Sequence, residues 1–315
     1  MATDTRIQQA INAIKLNQLE AAKDILSGIL IRQVNNTQAR WLFVQCLEQQ
    51  VHLQEAQSQL KLLLKNCRKD ISKINDLASH YLKMSYPMEP VLRAYRKFIK
   101  HKPDDTSALY NYAWYLSRDA RYEEALAVYE KALEQDVSGA DEVHLNMAAI
   151  YMDHLGEHEK ARDHLEFILS IDPKHVGAWH NLGNMFEQLG ERDEAARCFE
   201  NCLVLDPSNE SALARLADTR KFENIEDPVL GRLQAHAMTS RNSDIHFALG
   251  RAWDQLSRFN YAWKSMSRAN EIDLEVFAAY NPERIEKVFR KIAETTPQSW
   301  FDNIHGTSDK TVFIC

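Results

Sequence analysis

The chain has 315 residues, of which nine are Gly and eight Pro, so few residues interrupt a helix and both collagen-like and loop-rich folds are excluded. Hydrophobic side chains at 45% and charged ones at 26% match an ordinary globular protein and argue against a largely disordered one. The 45 acidic against 38 basic side chains leave a formal charge of −7, which removes the basic footprint that phosphate contacts need, so no nucleic-acid partner is expected.

Five cysteines, Cys46, Cys67, Cys198, Cys202 and Cys315, are too few and too irregularly spaced for a disulfide framework and point to a reducing compartment. Residues Met1 to Gln9 carry Asp4 and Arg6 and lack the apolar core of a signal peptide. No apolar run reaches the length that crosses a bilayer. A cytoplasmic protein without a membrane partner and without a cofactor of its own is the expectation.

A small residue recurs along the chain at Ala22, Ala56, Val91, Ala125, Ala161, Ala195, Val229 and Ala262, with gaps of 34, 35, 34, 36, 34, 34 and 33. Eight units of that period predict helix pairs over roughly residues 3 to 276. In chain order, the first unit has Ile7, Ile11 and Ile14 but no aromatic or Gly signature, as fits a terminal unit with one neighbour. The third has Val91, Tyr95, Phe98 and Pro103, although Tyr86-Pro87-Met88-Glu89-Pro90 replaces the usual turn. In the fourth, Ala113 is expected to face Ala125. The fifth needs one extra residue before Gly156. The sixth is nearly complete, with Trp179, Leu182, Gly183, Phe186, Ala195, Phe199, Cys202 and Pro207, and there Gly183 is expected to face Ala195. The seventh has Leu213, Leu216, Ala217, Val229 and Leu233, but Asp227-Pro228 precedes its second helix and Gly231 lies inside it.

These spacings resemble the tetratricopeptide repeat. The resemblance implies an all-α, right-handed superhelical solenoid of about eight helix-turn-helix units, residues 1–276, whose inner surface comes mainly from first helices. A capping helix is expected over 277–296, followed by a linker and a strand stub over 297–315. The stretches around Asp218 to Pro228, Ile245 to Trp253 and Ser267 to Asn270 are similar to the end of the repeat region in bacterial tetratricopeptide sulfotransferases. That resemblance covers roughly residues 210 to 315. In that family a strand, here Thr311 to Cys315, opens the catalytic domain, and the loop after it holds 3′-phosphoadenosine 5′-phosphosulfate. None of that loop is present, so no catalytic residue carries over and the chain as given is not expected to be an enzyme. The resemblance implies a longer sulfotransferase parent, which this region would position or dimerise.

Three asparagines, Asn111, Asn146 and Asn181, fall 35 residues apart at one position of consecutive first helices. They are expected to form a row in the groove, similar to the asparagine ladder of repeat domains that hold extended peptides. Tyr110, Trp114 and Phe247 on the same face are candidate apolar anchors, and Arg215 and Arg251 extend the wall toward acidic partner side chains. Asparagines bonding to a neighbouring repeat, and solvated arginines, are the alternatives. Ser211 stands where a carboxylate-gripping lysine would be. Cys198 and Cys202 read as core thiols, with no third metal ligand near them in sequence. His154, His158 and His164 read as surface histidines, because no His-Glu-x-x-His pattern joins them. Glu123, Glu124, Asp193 and Glu194 favour the dipoles of second helices.

Overall fold

A computed structural model describes residues 2–67 and 69–276, with side chains over 5–67 and 69–275. Every regular element among the described residues is helical. The chain divides into two compact units, one over Met1–Pro207 and the other from Ser208 onward.

The first unit holds six hairpins: α1 (Ala2–Lys15) with α2 (Leu19–Arg32), α3 (Thr37–Gln49) with α4 (Leu53–Asn66), and α5 (Ile71–Lys83) with α6 (Glu89–His101). They are followed by α7 (Thr106–Arg118) with α8 (Tyr122–Leu133), α9 (Ala140–Ile150) with α10 (His158–Ile171), and α11 (Val176–Gln188) with α12 (Arg192–Leu205). The second unit holds α13 (Glu210–Thr219) with α14 (Pro228–Ala237) and α15 (Ser243–Gln255) with α16 (Phe259–Val276). The helix expected over 277–296 and the strand over 311–315 lie outside the described residues.

The eight periodic small residues are all buried, five of the six alanines among them and Val91 completely so. They seat each second helix against its partner, where a larger side chain would cost about 1–3 kcal/mol. Gly183 differs from its expected pairing. A Cβ built there would lie 2.7 Å from Phe199 Cε1, so the missing side chain makes room for the Phe199 ring rather than for Ala195. At Gly250 the added atom would meet Met266 Cγ at 2.6 Å and the Ala262 carbonyl oxygen at 3.4 Å.

The turns repeat as faithfully as the core. Asn17, Val51, Ser85, Ala120, Gly156, Gly190 and Ser257 adopt positive φ between the two helices of their hairpins. In six of them the turn residue's N–H returns to the carbonyl three residues back and the next N–H to the carbonyl five back, as in Val51→Glu48 and His52→Leu47. This is the Schellman closure, and only two of the seven positions are glycine. The α9–α10 hairpin absorbs its extra residue in a π-helical turn, Tyr151–Leu155, before Gly156. In α5–α6 an extra residue follows the turn: Val91 comes six after Ser85, whereas Ala56 comes five after Val51. First helices start on periodic caps, Asn36, Asp70, Asp105, His175, Asn209 and Asn242, each accepting a backbone N–H of the first turn. Such a cap contributes about 1 kcal/mol.

The α13–α14 hairpin departs from the pattern. Its connection runs extended from Arg220, with no positive-φ turn residue. Gln255 of α15 accepts the Phe222 N–H at 2.8 Å, and Asp227 caps Val229 at 2.8 Å before Pro228 starts α14.

Candidate peptide-binding face

Consecutive first helices of the first unit touch, α7 with α9 and α9 with α11. Asn111, Asn146 and Asn181 are half-buried on these three helices. Asn146 is tied to the preceding repeat, its Nδ2–H donating to Tyr110 Oη at 3.1 Å. Its Oδ1 and second N–H make no further bond among the described residues. Asn111 and Asn181 make no side-chain hydrogen bond among the described residues. Tyr110 is held edge-on by Tyr129 at 5.9 Å, and the Arg118 guanidinium lies over the Trp114 ring at 4.8 Å. Both aromatic anchors are therefore positioned before any ligand arrives.

The same face carries a group that spacing alone does not single out. Asn184 lies one turn beyond His180 on α11, with its Nδ2 3.3 Å from His180 Nδ1, and its Oδ1 is buried without a partner among the described residues. The signal in the sequence was a second asparagine three residues after Asn181 on the same helix face. Polar bonds also run from repeat to repeat, among them His175 to Asp141 at 3.3 Å, Gln188 to Asp153 at 3.0 Å and Arg121 to Glu89 at 3.2 Å.

The remaining candidates belong to the second unit. Phe247 is half-buried on α15 and Arg215 is exposed on α13. Arg251 grips Asp218 through both Nε and an Nη, at 2.8 and 2.7 Å. That arginine therefore already holds a carboxylate of its own chain.

Cys198 and Cys202 are buried, and desolvation pushes their thiols up to about 12 and about 11, far from a reactive thiolate. His154 is exposed and stacks on Tyr122 at 4.1 Å. His164 is not a surface histidine: it is half-buried, its Nδ1 2.8 Å from His144 Nδ1. Burial lowers both imidazoles below their ordinary value, with the neighbouring imidazole adding to the effect at His144. Among the described residues, no three His, Cys, Asp or Glu side chains are placed to hold a metal ion. No described helix is long and apolar enough to cross a membrane.

Tetratricopeptide repeat models match residues 94–127 and 176–209, so the chain contains repeats of this type. Residue stretches are similar to the photosystem I assembly protein Ycf3 of a Synechococcus species, 36% identical over 91 residues, 26% of this chain and 52% of that protein. Others are similar to the peroxisomal targeting signal receptor of Komagataella phaffii, 42% identical over 52 residues, 16% and 9%. The transcription factor tau subunit sfc4 of Schizosaccharomyces pombe is 30% identical over 86 residues, 27% and 8%. The matched stretches thus span about half or less of each relative. Among solved structures, the Cut9–Hcn1 hetero-tetramer of the APC/C aligns with a TM-score of 0.50 at 15% identity, over 81% of this chain and 50% of that one. Over the described residues the fold is an all-helical, tetratricopeptide-like solenoid.

Proposed function

We propose that the chain is a protein-interaction scaffold that holds an extended peptide or protein segment along α7, α9 and α11. The observation that carries this reading is the row of half-buried asparagine amides on touching first helices, two of them without a side-chain partner among the described residues. Stacked helices lie about 8–10 Å apart and an extended peptide advances about 3.3 Å per residue, so one amide addresses about every third residue. Three such bonds at about 1 kcal/mol each fall short of the 4 kcal/mol that millimolar affinity requires. Tyr110 and Trp114 supply the rest by apolar contact. A relative that is by name a targeting-signal receptor supports the reading. The sulfotransferase reading, in which this region positions or dimerises a catalytic domain, rests on the sequence resemblance alone.

The test is a decapeptide array probed with the intact chain, followed by titration of the tightest peptide against variants. Asn111→Ala with Asn181→Ala is the clean pair, because neither side chain bonds to another described residue; adding Asn146→Ala also removes the bond to Tyr110. The double variant should bind about tenfold more weakly with its melting temperature unchanged. Unaltered affinity would discard the ladder.

A further inference from the structure

A cavity of about 510 Å³ opens between the second helices α4 and α6, away from the asparagine row. Its size is that of a ligand site. It lies where the sequence departs from the repeat, at Tyr86 to Pro90, beside the extra residue of the α5–α6 turn. The floor is apolar: Leu64, Tyr81, Pro87, Pro90 and Ala94 line it. Tyr81 is 1% exposed, and its hydroxyl is buried without a hydrogen-bond partner among the described residues.

The rim carries cations on both sides, Lys61 and Lys65 on α4 and Arg93 and Lys97 on α6. Each pair is spaced i, i+4, an arrangement of like charges that weakens a helix rather than supporting it. The three lysines are exposed and make no ion pair among the described residues. The rim's one carboxylate, Glu89, is already matched by Arg93, Arg96 and Arg121 at 3.5, 3.4 and 3.2 Å. In a protein of net charge −7, this is a local surplus of positive charge around an apolar hollow.

We propose that the cavity is a second recognition site, one that takes an acidic peptide segment in extended conformation. Residues i and i+4 of a helix are about 6 Å apart along its axis, and residues i and i+2 of an extended strand about 6.6 Å. Two carboxylates at alternate positions therefore match the lysine spacing on α4, while the residue between them points the opposite way, onto the floor. A single phosphate-sized anion would engage only part of the rim. The Tyr81 ring helps close the floor beneath the seated segment.

Fluorescence anisotropy of a labelled Asp-Leu-Asp-Phe-Asp-Leu peptide on the intact chain tests this. Binding should weaken tenfold or more in the Lys61→Glu, Lys65→Glu double variant and when the peptide's Asp residues become Asn. It should weaken several-fold in Lys97→Gln, and rise in strength as salt is lowered. The Asn111→Ala, Asn181→Ala variant should bind this peptide like the parent chain, which separates the site from the first-helix row. Undiminished binding by the double charge reversal, equal binding of the Asn peptide, or co-sedimentation with phosphatidylserine vesicles in place of peptide binding would each overturn the proposal. The lysines are exposed, so their variants keep the fold and the test stays valid.

Discussion

The hairpins α11–α12 and α13–α14 follow one another in sequence, and each buries the periodic small residue, Ala195 in one and Val229 in the other. They are closed by different means. In α11–α12 the turn closes itself: Gly190 takes φ +78, its N–H reaches the Glu187 carbonyl, and Glu191 N–H reaches Phe186. The helices then meet closely enough that Gly183 has no room for a Cβ. In α13–α14 no such turn forms, and the long connection is clasped from the next hairpin through Gln255. Helix α13 accordingly packs more extensively on α15 than on its own partner. A repeat with a complete turn draws its closing bonds from itself, whereas this one draws them in part from its neighbour, as the nearest-neighbour energetics of solenoids allow.

Gly183→Leu should break the self-closed hairpin with the largest effect. The first added carbon already lies under 3.0 Å from the Phe199 ring, and that ring is completely buried, so it has nowhere to retreat. A loss of about 3 kcal/mol is expected, with Gly183→Ala costing less. Thermal melting and hydrogen exchange of α11 and α12 would show it. An unchanged melting temperature would mean that Phe199 does not fill that space.

The core of this molecule was legible because burial and period coincide. Ala22 through Ala262 recur where close helix approach forbids bulk, and no other constraint competes there. The partner of Gly183 was harder to read, since spacing places two residues on facing helices but does not say whether a small residue or a bulky ring fills the gap. The asparagine row was legible as a spacing. The bond from Asn146 to Tyr110 was not, because it depends on the rotation of two neighbouring helices. His164 was misread as a surface residue for the same reason: its partner His144 lies on the facing helix, twenty positions earlier. The cavity at Tyr81 was signalled only indirectly, by a proline-rich turn where the repeat has a shorter one.

Gln255→Ala sharpens the other half of the comparison. It removes the acceptor for the Phe222 N–H while leaving α13 and α14 chemically intact. The amide is only part-buried and water can replace the bond, so the cost should be about 1 kcal/mol, at the low end for a lost hydrogen bond. The effect belongs in one place. Amide exchange should quicken over residues 220–227 and in α13, with α11 and α12 unaffected. Protection that stays the same in α13 would show that the hairpin closes without its neighbour.

The smallest effect runs in the stabilising direction and concerns a self-closed turn with an ill-suited residue. Val51 holds φ +62 in the α3–α4 turn, a conformation in which a β-branched side chain crowds its own backbone. The left-handed region costs an ordinary residue about 1–2 kcal/mol, whereas glycine enters it freely. Against this, glycine loses about 0.4–1 kcal/mol more conformational entropy on folding. Val51 is 72% exposed, so its side chain contributes little packing that the exchange would forfeit. Val51→Gly should therefore stabilise by about 0.5 kcal/mol, seen as a small rise in the urea midpoint. The opposite exchange, Gly190→Val, puts the same crowding into the turn that closes α11–α12, and it should destabilise by more than the first gains, since it adds strain to a hairpin already packed without slack at Gly183. If both exchanges moved stability in the same direction, the positive-φ turn would not be what closes these repeats.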